Sequence, residues 1–208
     1  MNILALGHFT NYQYHPFGDV ARKLEQIAAE AGFAIRCTQD AGELENGNLS
    51  RYGLLISYAD AWEETLTPLQ MEGLEQFVTG GKGFLAIHCG ISYANPEYFR
   101  LLGAKFTSHP PLQRLTVRIK DPKHPVTAGL TDFEIEDELY MFEFSESSQL
   151  NILMECPFEG IQYPVAWTRN HGGGRVVYLS PGHVAEGLSH EMIIQTIQNS
   201  LRWATGSQ

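Results

Sequence analysis

The chain has 208 residues, and 14 Lys and Arg stand against 24 Asp and Glu, a net charge of −10. With 43% hydrophobic and 18% charged residues, it can bury a full core, which excludes wholesale disorder. The acidic excess and the lack of any basic run exclude a general nucleic-acid binder, because phosphate would be repelled. The length predicts a single domain over 1–208.

The elements alternate. Asn2 to Leu6 reads as a short buried strand, followed by a polar, aromatic loop from His8 to Phe17. A helix capped by Gly18 or Asp19 runs through Val20, Leu24, Ile27, Ala28 and Ala31, which recur at helical spacing, and Gly32 stops it. Phe33–Cys37 and Leu54–Tyr58 are the next strands. A helix after Thr67-Pro68 carries Leu69, Leu74, Phe77 and Val78 on its apolar positions, with Pro68 tolerated in the first turn. Gly80-Gly81 ends it, and Gly83–Ile87 is a fully apolar strand. This β-α-β-β-α-β order predicts an α/β fold, a mainly parallel sheet covered on both faces by helices.

The second half differs. Leu115–Ile119 alternates like a half-exposed strand, and Phe133 to Phe144 holds further strand-like runs. Val165–Thr168 and Arg175–Leu179 are late strands joined by a turn at Gly172-Gly173-Gly174. A last helix spans about Ser189 to Trp203, with Met192, Ile193, Ile197 and Leu201 on one face. No repeat or low-complexity segment interrupts the chain. No secretory leader is expected, since the apolar start lacks a basic flank and is short. No run approaches the roughly 18 apolar residues of a membrane span. Cys37, Cys89 and Cys156 are odd in number and show no C-x-x-C spacing, which speaks against a disulfide framework or a thiolate zinc knot. Reduced thiols in a cytoplasmic protein are the simplest reading.

In open α/β sheets, ligands bind beyond the carboxyl ends of the strands. Three such ends carry histidine: His8, with His15 in the same loop; His88; and His183. Several imidazoles with a carboxylate such as Glu138 suit a divalent metal, Zn²⁺ or Mn²⁺. The same groups suit acid–base work on a polar substrate. There is no H-E-x-x-H to decide between them. Cys89 has two readings, a nucleophile activated by a neighbouring histidine or a buried neutral thiol. Tyr140 and Trp167 either stack on a sugar ring or belong to the core. Ser108-His109-Pro110 and His124-Pro125 are turn-like, with His124 read as structural and His109 left open. Glu134 to Glu138 reads as an acidic strand edge. The glycine run at 172–174 lacks the lysine and helix of a phosphate loop.

An ordered set of segments carries a family resemblance. It comprises Gly80-Gly81-Lys82-Gly83-Phe84-Leu85-Ala86-Ile87-His88, Leu101-Leu102-Gly103-Ala104-Lys105-Phe106-Thr107-Ser108-His109-Pro110 and His124-Pro125-Val126-Thr127-Ala128-Gly129-Leu130. Then follow Asp137-Glu138-Leu139-Tyr140, Pro164-Val165-Ala166-Trp167-Thr168-Arg169, Gly174-Arg175-Val176-Val177-Tyr178 and Pro181-Gly182-His183. In this order the chain resembles the ThuA-like family, named for trehalose utilisation. The resemblance implies a flavodoxin-like three-layer α/β/α sandwich, related to the class I glutamine amidotransferases. Where those relatives carry a catalytic cysteine this chain has His88, and Val184-Ala185 follow His183 where a His-x-Glu would stand. Glutamine amidotransferase chemistry is therefore not expected.

The family's implied role is the handling of disaccharides or their keto forms. The first reading is thus a hydrolase, lyase or isomerase acting on a disaccharide or keto-sugar. His88, Glu138 and His183 form its acid–base or metal centre, and His8, His15, His109, Tyr140 and Trp167 bind substrate. The alternative is a non-catalytic sugar- or partner-binding module. A third option, a thiol hydrolase, rests on Cys89. The expected partner is a small carbohydrate, with no nucleic acid and no membrane. A homodimer is expected because closed two-fold assemblies are the commonest.

Overall fold

A computed structural model of the protein describes residues 1–45, 47–145 and 149–207. Four parallel strands open the architecture: β1 (Asn2–Gly7), β2 (Ala34–Thr38), β3 (Leu54–Tyr58) and β4 (Gly83–Ile87). Between them lie α1 (Phe17–Glu30) and α2 (Pro68–Thr79). After α3 (Pro96–Leu102) come β5 (Ala104–Ser108), β6 (Gln113–Ile119), β7 (Phe133–Asp137) and β8 (Met141–Phe144). The chain then forms β9 (Asn151–Phe158), β10 (Ile161–His171) and β11 (Gly174–Leu179), and closes with α4 (Glu191–Thr205).

The main sheet has the order β2-β1-β3-β4-β11-β10-β9-β6-β7. Pairings from β2 to β11 are parallel, and those from β11 to β7 are antiparallel. The parallel block is the expected one, and an antiparallel wing extends it. Strands β1, β3, β4 and β11 are buried on both faces, which is why they read as continuous apolar runs. Their side chains alternate between two layers. Ile3, Ala5, Ile56, Leu85 and Val177 face the core shared with α1 and α4. Leu4, Leu6, Leu55, Phe84 and Val176 face α2 and α3.

Local details follow from side-chain chemistry. Helix α2 begins at a capping box in which the Thr67 hydroxyl accepts from the Gln70 N–H and the Gln70 side chain accepts from the Thr67 N–H. Its buried face is Met71, Leu74, Phe77 and Val78, whereas Leu69, expected on that face, is 63% exposed. Helix α1 starts at Phe17 rather than Gly18 or Asp19, because the Phe17 ring is fully buried and stacks on Tyr58 at 6.1 Å. Strands β5 and β8 form a separate two-stranded sheet. It carries Phe106 and leads from Tyr140 over the ends of the parallel strands.

The registers Gly7 with Tyr58, Ser57 with Ala86, and Ile87 with Leu179 put the carboxyl ends of β1, β3, β4 and β11 side by side. Directly after β4 the chain tightens into a 3-10 turn over His88–Ile91, with His88 at φ +46°. A left-handed backbone at a non-glycine residue is uncommon and marks a constrained position. Gly90 makes that turn fit, since a Cβ there would lie 2.1 Å from the Ser57 carbonyl oxygen. Gly90→Ala is expected to lower unfolding free energy by about 1–3 kcal/mol through overpacking. The check is a fall in the urea midpoint with an unchanged slope.

Candidate active site

Four side chains converge above the strand ends. His88 leaves β4 with no exposed surface, and its Nδ1 lies 2.8 Å from the Ser180 carbonyl oxygen. A carbonyl only accepts, so Nδ1 carries the proton and Nε2 keeps its lone pair. His15 comes from the loop after β1, and its Nδ1 lies 2.9 Å from Asp60 Oδ1. That nitrogen again donates, leaving His15 Nε2 as an acceptor. The Nδ1 of His183, beyond β11, lies 3.1 Å from His15 Nε2, 3.2 Å from His88 Nε2 and 3.2 Å from Glu138 Oε2. Glu138 Oε2 is also 3.5 Å from His88 Nε2. One ligand atom from each of the four residues lies within 4.8 Å of the others.

Two buried carboxylates stand behind this cluster. Asp60, two residues past β3, accepts from the backbone N–H of Gln13, Tyr14 and His15 at 2.5, 2.6 and 3.1 Å. Asp137, at the end of β7, accepts from the N–H of Gly182 and Glu138, each at 2.8 Å. Burial pushes the Asp60 carboxyl up, but the His15 hydrogen bond and those backbone donors outweigh it and hold it below its ordinary value. Burial lifts Asp137 to about 7 against its backbone donors, and the Glu138 charge adds to the rise.

Three groups of the cluster, His88, His183 and Glu138, favour their unprotonated forms. Burial takes His88 down to about 4, against the opposing pull of Glu138. Burial also lowers His183. For Glu138 burial acts upward, yet the His88 hydrogen bond and the charges of His183, His88 and His109 bring it below the ordinary carboxylate value.

A cleft of about 620 Å³ opens onto His15, His183 and Glu138. Its walls are aromatic: Tyr14, Trp62, Phe106 and Tyr140. Tyr140 lies against His88 with ring centroids 4.0 Å apart. His109 stands at the rim with 37% of its side chain exposed, its Nδ1 3.7 Å from Glu138 Oε1.

The structure thus brings His88, Glu138 and His183 together, with Tyr140 and His109 on the adjoining cleft. It brings His15, expected among the substrate-binding residues, into the centre. His8 serves differently, its Nδ1 accepting from the Asp60 N–H at 3.1 Å. Trp167 is a correction to the expected substrate-binding set. It has no exposed surface, its Nε1–H donates to the Leu102 carbonyl at 2.9 Å, and its ring packs 4.4 Å from Tyr178 in the core. His124 is structural, as expected, accepting from the Val126 N–H at the start of a 3-10 turn. Sequence reading missed Asp60 and Trp62, which lie just past β3. An acidic residue two positions beyond an apolar strand was the available signal.

The family model described as ThuA, trehalose utilisation, matches residues 2–204. No curated protein matches the chain. Among solved structures, a ThuA-like protein from Parabacteroides merdae is similar at 16% identity with a TM-score of 0.84, covering 100% of this chain and 91% of that one. A ThuA-like protein from Bacteroides uniformis is similar at 19% identity and a TM-score of 0.79, covering 98% and 91%. A cytoplasmic protein from Salmonella typhimurium is similar at 14% identity and a TM-score of 0.68, covering 98% and 99%. At these identities the likeness shows a shared fold.

Cys89 is placed poorly for nucleophilic work. Its side chain is fully buried, its Sγ–H points to the Tyr58 carbonyl at 3.5 Å, and burial pushes the thiol well above its ordinary value. A thiol is reactive only as thiolate and only when reachable. Iodoacetamide at pH 8 is therefore expected to leave Cys89 unlabelled in the folded protein and to label it after denaturation, as read by peptide mass spectrometry. Rapid labelling in the folded state would reinstate the thiol option.

Proposed function

The chain belongs to the ThuA trehalose-utilisation family, and from that premise we propose that it is a metal-assisted enzyme acting on a disaccharide or keto-sugar. The observation that carries this reading is a shortage of protons in the cluster. The N–H of His88 is used on Ser180 and that of His15 on Asp60. His15 Nε2, His88 Nε2 and Glu138 Oε2 then all face His183 Nδ1, which holds at most one proton. A divalent cation satisfies all four donors at once. Zinc bonds to nitrogen and oxygen of about 2.0–2.1 Å imply donor–donor separations of roughly 3.3 Å in a tetrahedral set. Four of the six separations, at 3.1–3.5 Å, fit that size, and the other two lie within 4.8 Å. Mn²⁺ fits the same imidazole and carboxylate chemistry less selectively.

The cleft supports an uncharged, polyhydroxylated substrate. Among the described residues its lining includes no Lys or Arg that would hold a phosphate. Trp62, Phe106 and Tyr140 offer apolar faces to the C–H side of a sugar ring. A keto group acidifies the neighbouring C–H; a divalent cation held by His15, His88, His183 and Glu138 would supply charge to stabilise the oxygen on which negative charge develops, provided that oxygen is taken up as an added ligand. Glu138 Oε1 and His109, at the cleft edge, are placed to carry the proton. The free cysteines and the cytoplasmic Salmonella neighbour support a cytoplasmic setting.

Elemental analysis tests the centre. Untagged protein, reconstituted with Zn²⁺ or Mn²⁺ and desalted, is expected to hold about one ion per chain. His88→Ala is expected to lose it and His124→Ala to keep it. An absence of bound ion in the reconstituted parent would overturn the metal reading. Loaded parent incubated with a keto-disaccharide in D₂O is expected to exchange the proton beside the carbonyl, read by NMR. Sugar binding without exchange or turnover would favour the non-catalytic module.

A further inference from the structure

One carboxylate outside the donor set hydrogen-bonds the backbone of two of the four donor residues and lies near a third. Asp137 Oδ1 accepts from the Glu138 N–H at 2.8 Å and lies 3.4 Å from the His183 nitrogen. Its Oδ2 accepts from the Gly182 N–H at 2.8 Å and lies 3.3 Å from the same His183 nitrogen. The Oδ1 atom is also 3.9 Å from His88 Nδ1. The fourth donor, His15, has its own carboxylate in Asp60. Asp137 is itself fully buried, so solvent does not compete for its oxygens. Space around it is tight, since a Cβ on Gly187 would lie 3.3 Å from Oδ2.

The placement has a topological reason. Glu138 follows β7, the outer edge of the antiparallel wing, while His183 follows β11, four strands inward in the sheet order. No ladder joins those two strand ends. The Asp137 carboxylate spans the gap and ties the backbone of both to one point.

We propose that Asp137 is the positioning residue of the metal centre, holding Glu138 and His183 at coordinating distance before any ion arrives. This rests on the metal reading above. Asp137 binds neither ion nor substrate in this assignment; it acts through the backbone of the residues that do. Outer residues that orient ligands typically change metal affinity by about 10–100-fold when replaced.

The test is zinc affinity of Asp137→Asn against the parent, by competition with a chromophoric chelator, alongside urea unfolding of both metal-free proteins. The variant keeps the side-chain shape but turns one oxygen into an NH₂ group facing a backbone N–H. The expected result is a Kd weakened about 10- to 100-fold and an altered visible spectrum of the Co²⁺ form. An unchanged Kd with a lowered urea midpoint would show a merely structural residue and overturn the proposal. If the parent itself binds no zinc, the metal reading fails and this assignment falls with it. Should Asp137→Asn not fold, amide hydrogen exchange in the metal-free parent decides. Slow exchange at Glu138, Gly182 and His183 is expected, and exchange at exposed-loop rates would overturn the preformed clamp.

Discussion

A buried carboxylate must find donors or lose its charge, and this requirement organises the site. Asp60 finds three backbone N–H groups in the loop before α1 and the imidazole N–H of His15. In doing so it fixes a loop that has no regular structure and sets which nitrogen of His15 faces the cluster. The Ser180 carbonyl does the same for His88. Tautomers are thus decided outside the cluster, and the inward nitrogens are left as lone pairs. Such an arrangement is costly without an occupant, because acceptors facing acceptors repel.

The parallel block supplies the frame on which those groups meet. Its strands end level, so loops from distant parts of the sequence share one crevice. The antiparallel wing adds what the parallel block lacks. Strand β7 delivers Asp137 and Glu138 to the same crevice, and the loop into β8 delivers Tyr140. The small β5–β8 sheet then contributes Phe106, whose ring packs 4.6 Å from Tyr140 and 4.8 Å from Trp62. The donor cluster therefore lies at the floor of an aromatic cleft rather than on an open sheet edge.

The sequence was most legible where one physical signal dominated. Doubly buried strands show as apolar runs, and α2 and α4 show by spacing and caps. Strand β9 escaped notice because Pro157 and Glu155 interrupt its pattern. The structure tolerates Pro157 because it lies beyond Glu155 and Met154, the residues that pair with β6. Helix α3 has only seven residues between Asn95 and Gly103, too few for a period to emerge. The histidines expected at strand ends do meet in one crevice, although spacing could not tell His15 in the centre from His8 behind it. Asp60 gave only its place past an apolar strand, because its role depends on backbone N–H groups more than 40 residues away in sequence. Trp167 misled because an aromatic on a strand is silent about which layer it faces, and β10 turns it into the core.

The turn after β4 shows how one position carries a change of chemistry. A sharp turn at a strand end serves to project the side chain of its strained residue towards a ligand. Here that residue is His88, at φ +46°, and the next side chain, Cys89, is turned away towards the Tyr58 carbonyl. An imidazole at this point with Nδ1 tied to Ser180 presents the lone pair of Nε2 to the cluster. Its burial, with Tyr140 against the ring, favours the neutral imidazole. The turn therefore directs an imidazole, and not a thiol, towards the cluster, in keeping with the coordination proposed above. Gly90 is the residue that lets the two requirements coexist, because without its bare Cα the turn could not close against Ser57.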